Sequence, residues 1–537
     1  MRRTRLTPGI PLVIAMLAVM IVAGSCTTAQ DPTDNGDDER PQDDLPELII
    51  AIAREGEGLD PQQVTGVNYW LHGLIVTPPV SIGLDQTELL PYGAQEVDVS
   101  PDGMQLYLTF DPERMFHSGN PVTAEAYKQS VERYRETSPY AFDFDSVDEM
   151  DVDGNMMTMN LHAPGPGIVV VLASEYGAPV DVLKANEMGE ADFNRQPYAC
   201  GPYIVEEWVE DSHVVLVRND DYFDYLPFVD NNGPFHFSKV TVRFIPDDFI
   251  RVSELRAGNV DIIQEVPAEH IQSLEDDPNV NVLSFLRDNT MFLAINHDSF
   301  PLDDESVRLA VALAIDRDEV AELLNHAIKP TYGIVSKGML RHDPETEAYL
   351  RSEYAHNADR ARQVLEEAGW EEGSDGVRVK DGQRLTFEFA YASDATFPQR
   401  SAPLFQAQLE RVGFDVQMRG YDARYISQAI EEGSFDIALA GRSWLEPGGT
   451  WPAALRTGAR MAAWSHPDVD ALLDRVLVEP DEEEGARMWG EISRRIWADV
   501  ALIPLWADYR YIAVRSEVTG LKMSVSGLIF LNDLTKE

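Results

Sequence analysis

The body of the chain declares itself at Leu48, where Leu-Ile-Ile-Ala-Ile-Ala forms an apolar run of the length of a buried strand. Arg54-Glu55-Gly56-Glu57-Gly58-Leu59-Asp60-Pro61 then reads as a turn. Short apolar runs alternate with helical patterns from there onward, without a repeat at the roughly 20–50-residue periods of solenoids and propellers. That alternation predicts mixed α/β layering. Thr123 opens a helix whose face carries Tyr127, Val131 and Tyr134 at i, i+4 and i+7. Val307, Ala310, Val311 and Ala314 make a second apolar stripe, continued by Val320 and Leu323-Leu324 after Asp316-Arg317-Asp318. Residues 358–368 predict a short amphipathic helix closed by Gly369. Val377-Arg378-Val379 and Leu385-Thr386-Phe387-Glu388-Phe389 flank Lys380-Asp381-Gly382-Gln383, an Asp-Gly turn that predicts a hairpin between them.

The first 46 residues follow a different pattern. Arg2, Arg3 and Arg5 precede an uncharged apolar run of about 15 residues, 10–24, shorter than the roughly 20 a spanning helix needs. A basic region, an apolar region and a small-residue zone make residues 1–25 a signal peptide. Val22-Ala23-Gly24-Ser25-Cys26 resembles the bacterial lipobox, which implies lipid attachment at Cys26. Residues 26–46 are rich in Asp and Pro, with Leu45 as the one large apolar side chain, and are expected to form a disordered acidic tether.

Composition narrows the function. The 537 residues are 44% hydrophobic and 25% charged, enough for two or three domains, and 92 acids against 43 bases give a formal charge of -49. Such a surface repels a phosphate backbone, which sets nucleic-acid binding aside, and it suits a salty medium. Two cysteines, Cys26 and Cys200, make no disulfide framework, and the eleven histidines form no HExxH or i, i+4 pair. No protein-built metal site and no cofactor are expected; Cys200 reads as a small buried residue.

Several stretches occur in a distinctive order: Leu59-Asp60-Pro61; Val-Asp-Val-Ser-Pro-Asp-Gly at 97–103 leading into Leu-Tyr-Leu-Thr-Phe at 106–110; Phe-His-Ser-Gly-Asn-Pro-Val-Thr-Ala-Glu at 116–125; Gly201-Pro202-Tyr203; and Arg-Asn-Asp-Asp-Tyr-Phe at 218–223. Leu-Arg-Ala-Gly-Asn-Val-Asp-Ile at 255–262, Val-Arg-Leu-Ala-Val-Ala-Leu-Ala-Ile-Asp-Arg at 307–317 and Glu367-Ala368-Gly369-Trp370 complete the series. In this order they resemble the bacterial extracellular solute-binding proteins of family 5, the peptide- and nickel-type receptors of ABC importers. The resemblance implies a periplasmic-binding-protein-like α/β fold of two lobes with a hinge and an additional subdomain inserted in the N-terminal lobe. Residues 47–75, 195–288 and 508–537 would form lobe I, 76–194 the insert and 289–507 lobe II. It also implies a monomer at the outer face of the bacterial membrane, with a peptide or other small-molecule ligand and ABC permease subunits with cytoplasmic ATPases as partners.

A cleft closing on a solute needs a few fixed polar groups among aromatic or apolar walls. Gly-Arg-Ser-Trp-Leu-Glu-Pro-Gly-Gly-Thr-Trp at 441–451 follows an apolar strand and places Arg442, Trp444, Glu446 and Trp451 on a glycine-containing loop. Peptide-binding members carry a tryptophan followed by an aspartate there. Trp444 matches the tryptophan; the aspartate is absent and Glu446 is the nearest acid. Tyr69 and Trp70 are candidates from the other lobe. Each keeps a plain alternative: core packing for the tryptophans, a solvated acid for Glu446, and an Arg442–Glu446 pair.

Two rival functions stand beside transport. A secreted α/β hydrolase or peptidase lacks a G-x-S-x-G elbow, an HExxH motif and a CxxC pair here. A receptor that senses its ligand without delivering it has the same sequence features as a transporter.

Overall fold

The computed structural model describes residues 45–537 apart from 67, 86, 87, 166, 460, 462 and 526. The signal peptide 1–25, Cys26 and the tether as far as residue 44 lie outside the described residues.

A 12-stranded sheet runs through the body. In its first half the apolar run at the start of the body forms the strand Glu47–Ile52, parallel to Lys239–Phe244 and to Ile262–Ile263. Lys239–Phe244 continues antiparallel through His213–Arg218 to Tyr203–Val209. In the second half Thr386–Ala392 lies parallel to Asp415–Tyr421 and Ile437–Ser443, and Asn289–Ile295 is antiparallel to Ile437–Ser443. One long strand, Leu502–Arg515, belongs to both halves. Its first part pairs with Asn289–Ile295 and Ile328–Pro330, and from Tyr509 onward it pairs with Val280–Leu286. The chain therefore crosses between the halves at 286–289 and again near 508.

A separate four-stranded antiparallel sheet, built from Glu96–Val99, Gln105–Thr109, Met156–Leu161 and Val147–Asp153, lies within the segment 76–194. The helix Ala124–Thr137 packs on it. Thr123 caps that helix by accepting from the Ala126 N–H at 3.1 Å, and Tyr127, Val131 and Tyr134 are buried against Leu106, Leu108, Met157 and Met159. Burial of each large apolar side chain contributes roughly 1.5–3 kcal/mol. Arg133, on the same helix, is fixed to Asp60 at 2.6 Å and to Gln62 at 2.6 Å, which binds this subdomain to the turn after the first strand. Gly201 sits where an added Cβ would stand 2.3 Å from the Ile75 backbone, so only glycine permits that approach.

The remaining stripes settle as their caps dictate. Asp304 and Asp316 cap the helices Glu305–Ala314 and Arg317–Leu323, and Gly369 follows Ala358–Glu367 in the left-handed region. The Asp-Gly turn also forms, with Asp381 and Gly382 both at positive φ. Its hairpin is shorter than the expected one: Arg378–Lys380 pairs across the turn with Gln383–Arg384 and on its other edge with Glu371–Glu372, in a small three-stranded sheet. Thr386–Ala392 leaves the turn for the main sheet because Phe387, Phe389 and Ala390 are buried there against both neighbouring layers, which the small sheet at the turn cannot offer.

Candidate functional site

Between the halves of the sheet and the inserted subdomain lies a cleft with two adjoining cavities that share Ile82 and Val170 as walls. The inner one, of about 60 Å³, draws Tyr69, Tyr176 and Leu528 from one side, Trp444 and Leu445 from the other, and Asp288 from the crossing. The outer one, of about 210 Å³, is lined mainly by aliphatic side chains, among them Leu89, Leu106, Leu161 and Ile168 of the inserted subdomain facing Leu340. Its charged groups are Glu88, Glu482 and Arg341. Arg341 is committed elsewhere: it donates to the Val476 and Glu479 carbonyls and pairs with Glu482 at 3.2 Å.

Tyr69 is positioned by a buried histidine. The His72 Nδ1 accepts from the Asn68 N–H at 3.0 Å and Nε2 donates to the Gly58 carbonyl at 3.1 Å, while Asn68 Oδ1 accepts from the Trp70 N–H. Burial holds His72 neutral, its pKa pushed down to about 4. This arrangement pins the turn before the helix His72–Ile75 and leaves Tyr69 at the cavity with 37% of its surface exposed. Tyr69 has a hydroxyl that ionises far less readily than usual, because of burial and the nearby carboxyls of Glu175 and Asp288.

Trp444 is positioned from two sides. Its backbone N–H donates to the Asp288 backbone carbonyl at 3.1 Å, and Gly449 lies so close that a Cβ there would stand 2.3 Å from the indole. The Leu340 N–H donates to the Leu445 carbonyl at 2.8 Å, joining the floors of the two cavities. Asp288 accepts from the Ser443 hydroxyl at 3.2 Å, and burial raises its pKa against the pull of Arg287.

Of the residues singled out from sequence, the structure brings Tyr69 and Trp444 together across the inner cavity. Trp70 and Trp451 are 1% and 0% exposed and pack in two different cores, the latter against Phe292. Glu446 is 3% exposed and lines neither cavity; burial pushes its pKa up to about 7, opposed by Arg341 and the Gly448 and Gly449 N–H groups. Arg442 is half-buried on the strand Ile437–Ser443, where the charge of Glu431 partly offsets its burial, and it makes no pair with Glu446 among the described residues. Asp288 and Tyr176 escaped the sequence reading. The available signal for Asp288 was the charged break Arg287-Asp288 between two strand-like runs; Tyr176 carries none.

The family model for bacterial extracellular solute-binding proteins, family 5, matches residues 88–454, more than half of the chain. The chain belongs to this family. Among its relatives, the oligopeptide-binding protein AppA of Bacillus subtilis (strain 168) is 24% identical over 347 residues, 63% of this chain and 61% of AppA. The probable D,D-dipeptide-binding periplasmic protein DdpA of Escherichia coli (strain K12) is 24% identical over 501 residues, 88% of this chain and 90% of DdpA. Among solved structures, NikA from Brucella suis in complex with Fe(III)-EDTA superposes with a TM-score of 0.79 at 22% identity, covering 92% of this chain and 100% of that one. The fold is that of a two-lobed binding protein. Among the described residues, no group of three or more His, Cys, Asp or Glu side chains is placed to hold a metal ion.

Proposed function

We propose that this family 5 protein is the solute-binding component of an ABC importer: it captures a peptide or similar small solute between its lobes and delivers it to a membrane permease, without chemistry of its own. The observation that carries this reading is the inter-lobe cavity walled by Tyr69 from one lobe and Trp444 from the other, with Asp288 at the crossing. Walls drawn from two bodies let a ligand gain contacts only when both close on it, so ligand binding favours the closed state. The family membership and the peptide-binding names of AppA and DdpA support a peptide or similar solute. We assign lobe I to 47–75, 195–288 and 508–537, the insert to 76–194 and lobe II to 289–507; the strand crossings at 286–289 and near 508 support the division. The basic and apolar leader and the lipobox-like Val22-Ala23-Gly24-Ser25-Cys26 support an acylated Cys26 at the outer face of the membrane.

The test is native mass spectrometry of the full chain purified from its host, identification of any released solute, and small-angle scattering of stripped protein with and without it. A decrease in radius of gyration on adding the solute is expected, abolished by Trp444→Ala. Binding without compaction, or conversion of the solute into a product, would overturn the reading.

A further inference from the structure

Among the described residues that line the inner cavity, one carries a charge, and it is negative. The walls of the cavity are Tyr69, Tyr176 and Trp444 together with small and aliphatic side chains, and among the described residues Asp288 is its only ionisable acid or base besides the tyrosines. A carboxylate among three aromatic rings is the arrangement that recognises an organic cation: the acid supplies charge, the ring faces supply cation–π attraction, and exclusion of water strengthens both. An anion would meet no cation among the described lining residues.

The neighbouring charges do not cancel this preference. Arg287 leans toward Asp508 at 4.0 Å, and Arg510 is paired with Glu265 at 2.5 Å, so both guanidinium groups near Asp288 have other acids to serve. Among the described residues the Asp288 carboxylate receives one side-chain hydrogen bond, from Ser443 to Oδ1. Glu175, behind the wall between the lining residues Ser174 and Tyr176, is 7% exposed and held neutral by burial, its pKa pushed up to about 8, so the charge here is that of Asp288. Asp288 also acts on the Tyr69 hydroxyl, so the potential on this side of the cleft is negative. The outer cavity adds an aliphatic chamber directly beyond Ile82 and Val170, and its one cation, Arg341, is held by Glu482 and two carbonyls.

We infer that the cleft selects a small organic cation bearing an apolar tail, with its ammonium or guanidinium group on Asp288 between Tyr69, Tyr176 and Trp444, and its tail in the aliphatic outer chamber. This rests on the proposed solute-capture role and names the chemistry of the solute. Selectivity comes from charge in the inner cavity and from apolar contact in the outer one.

The experiment is calorimetric titration of the stripped full chain with four probes of similar shape: phenethylamine, phenethyltrimethylammonium, 3-phenylpropan-1-ol and 3-phenylpropionate. The two cations are expected to bind at least roughly tenfold more tightly than the alcohol, phenethylamine through a hydrogen bond to the charged Asp288 and phenethyltrimethylammonium through its charge and the aromatic faces, and the acid more weakly still. Asp288→Asn should bring phenethylamine to the alcohol's level, and Tyr69→Ala should weaken both cations; melting curves of each variant check that the fold is kept. The comparison in the unaltered protein decides the matter even if a variant fails to fold. Alcohol or acid binding as tightly as the amines, or no heat from either amine at millimolar concentration, overturns the inference. An anionic or neutral solute that compacts the protein would overturn it while leaving the capture role intact; a cation that binds without compaction would uphold the selectivity and overturn the capture role.

Discussion

Asn289 and Asp508 hold each other in both directions where the chain crosses between the halves of the sheet. The Asn289 amide donates to Asp508 Oδ2 at 2.8 Å, and its carbonyl oxygen accepts from the Asp508 backbone N–H at 3.0 Å. Asp508 also accepts from the Trp506 indole at 2.9 Å, and its carbonyl from the Arg287 N–H at 2.8 Å. The two crossings are therefore locked to one another beside Asp288. Asn289 is 2% exposed, so Asn289→Ala leaves the Asp508 N–H without its acceptor and is expected to cost about 1–3 kcal/mol of stability. Urea unfolding measures it; a cost near zero would show that the pair is incidental to the crossing.

The Asp60–Arg133 pair gives a second prediction. The two side chains are 0% and 5% exposed, and Arg133 also serves Gln62 and Glu190. Arg133→Met leaves Asp60 as an uncompensated buried charge, which costs about 3–5 kcal/mol. Adding Asp60→Asn removes that charge and should recover part of the loss. Thermal melts of the single and double variants check the sign; a double variant less stable than Arg133→Met would mean that the cost lies in lost packing.

Much of the scaffold was legible because its signals are local. Thr123, Asp304 and Asp316 cap helices by reaching N–H groups two or three residues on, and the Asp381-Gly382 turn needs only its own φ angles. Thr386–Ala392 was not legible as a main-sheet strand, because its partners Asp415–Tyr421 and Ile437–Ser443 lie far along the chain. The same limit applies to the cleft. Trp70 and Trp444 have equal aromatic surface in sequence; one is enclosed by a core and the other meets a cavity, and only the packing of remote segments distinguishes them.

Glu446 separates two accounts of the loop after Ile437–Ser443. If a solute's ammonium sat on this acid, Glu446→Gln would weaken binding by about 1.5–3 kcal/mol. The carboxyl instead lies beside Arg341 and the Gly448 and Gly449 N–H groups, away from both cavities. Glu446→Gln is expected to leave the affinity for the co-purified solute unchanged, while Asp288→Asn lowers it. Calorimetry on the two variants compares them directly, and the reverse order would return the ligand contact to Glu446.

Glu175 predicts a pH dependence of stability. Burial pushes its pKa up to about 8 from an ordinary 4.5, so the folded protein retains a proton that the unfolded chain releases. Its favourable contribution is complete below the unfolded pKa and is lost as pH rises through about 8. Glu175→Gln keeps the neutral shape at every pH. The melting temperature of the variant relative to the unaltered protein should therefore be higher at pH 9 than at pH 5, and an equal difference at both would place the ionisation elsewhere.

The formal charge of -49 predicts a strong salt response. Acids crowd exposed ground: Glu206, Glu207 and Glu210 lie along and just after Tyr203–Val209, and Asp481, Glu482 and Glu483 open the helix Glu482–Ala498. Repulsion among them favours expansion of the chain and is screened over a Debye length that falls from about 30 Å at 0.01 M salt to about 3 Å at 1 M. The melting temperature should rise steeply over that range of sodium chloride. Sulfate distinguishes the cause, because it also strengthens apolar burial by exclusion from the protein surface. If screening dominates, chloride and sulfate at matched ionic strength should stabilise nearly equally at the low end of the range. A response confined to sulfate would assign the effect to burial and leave the acidic surface energetically silent.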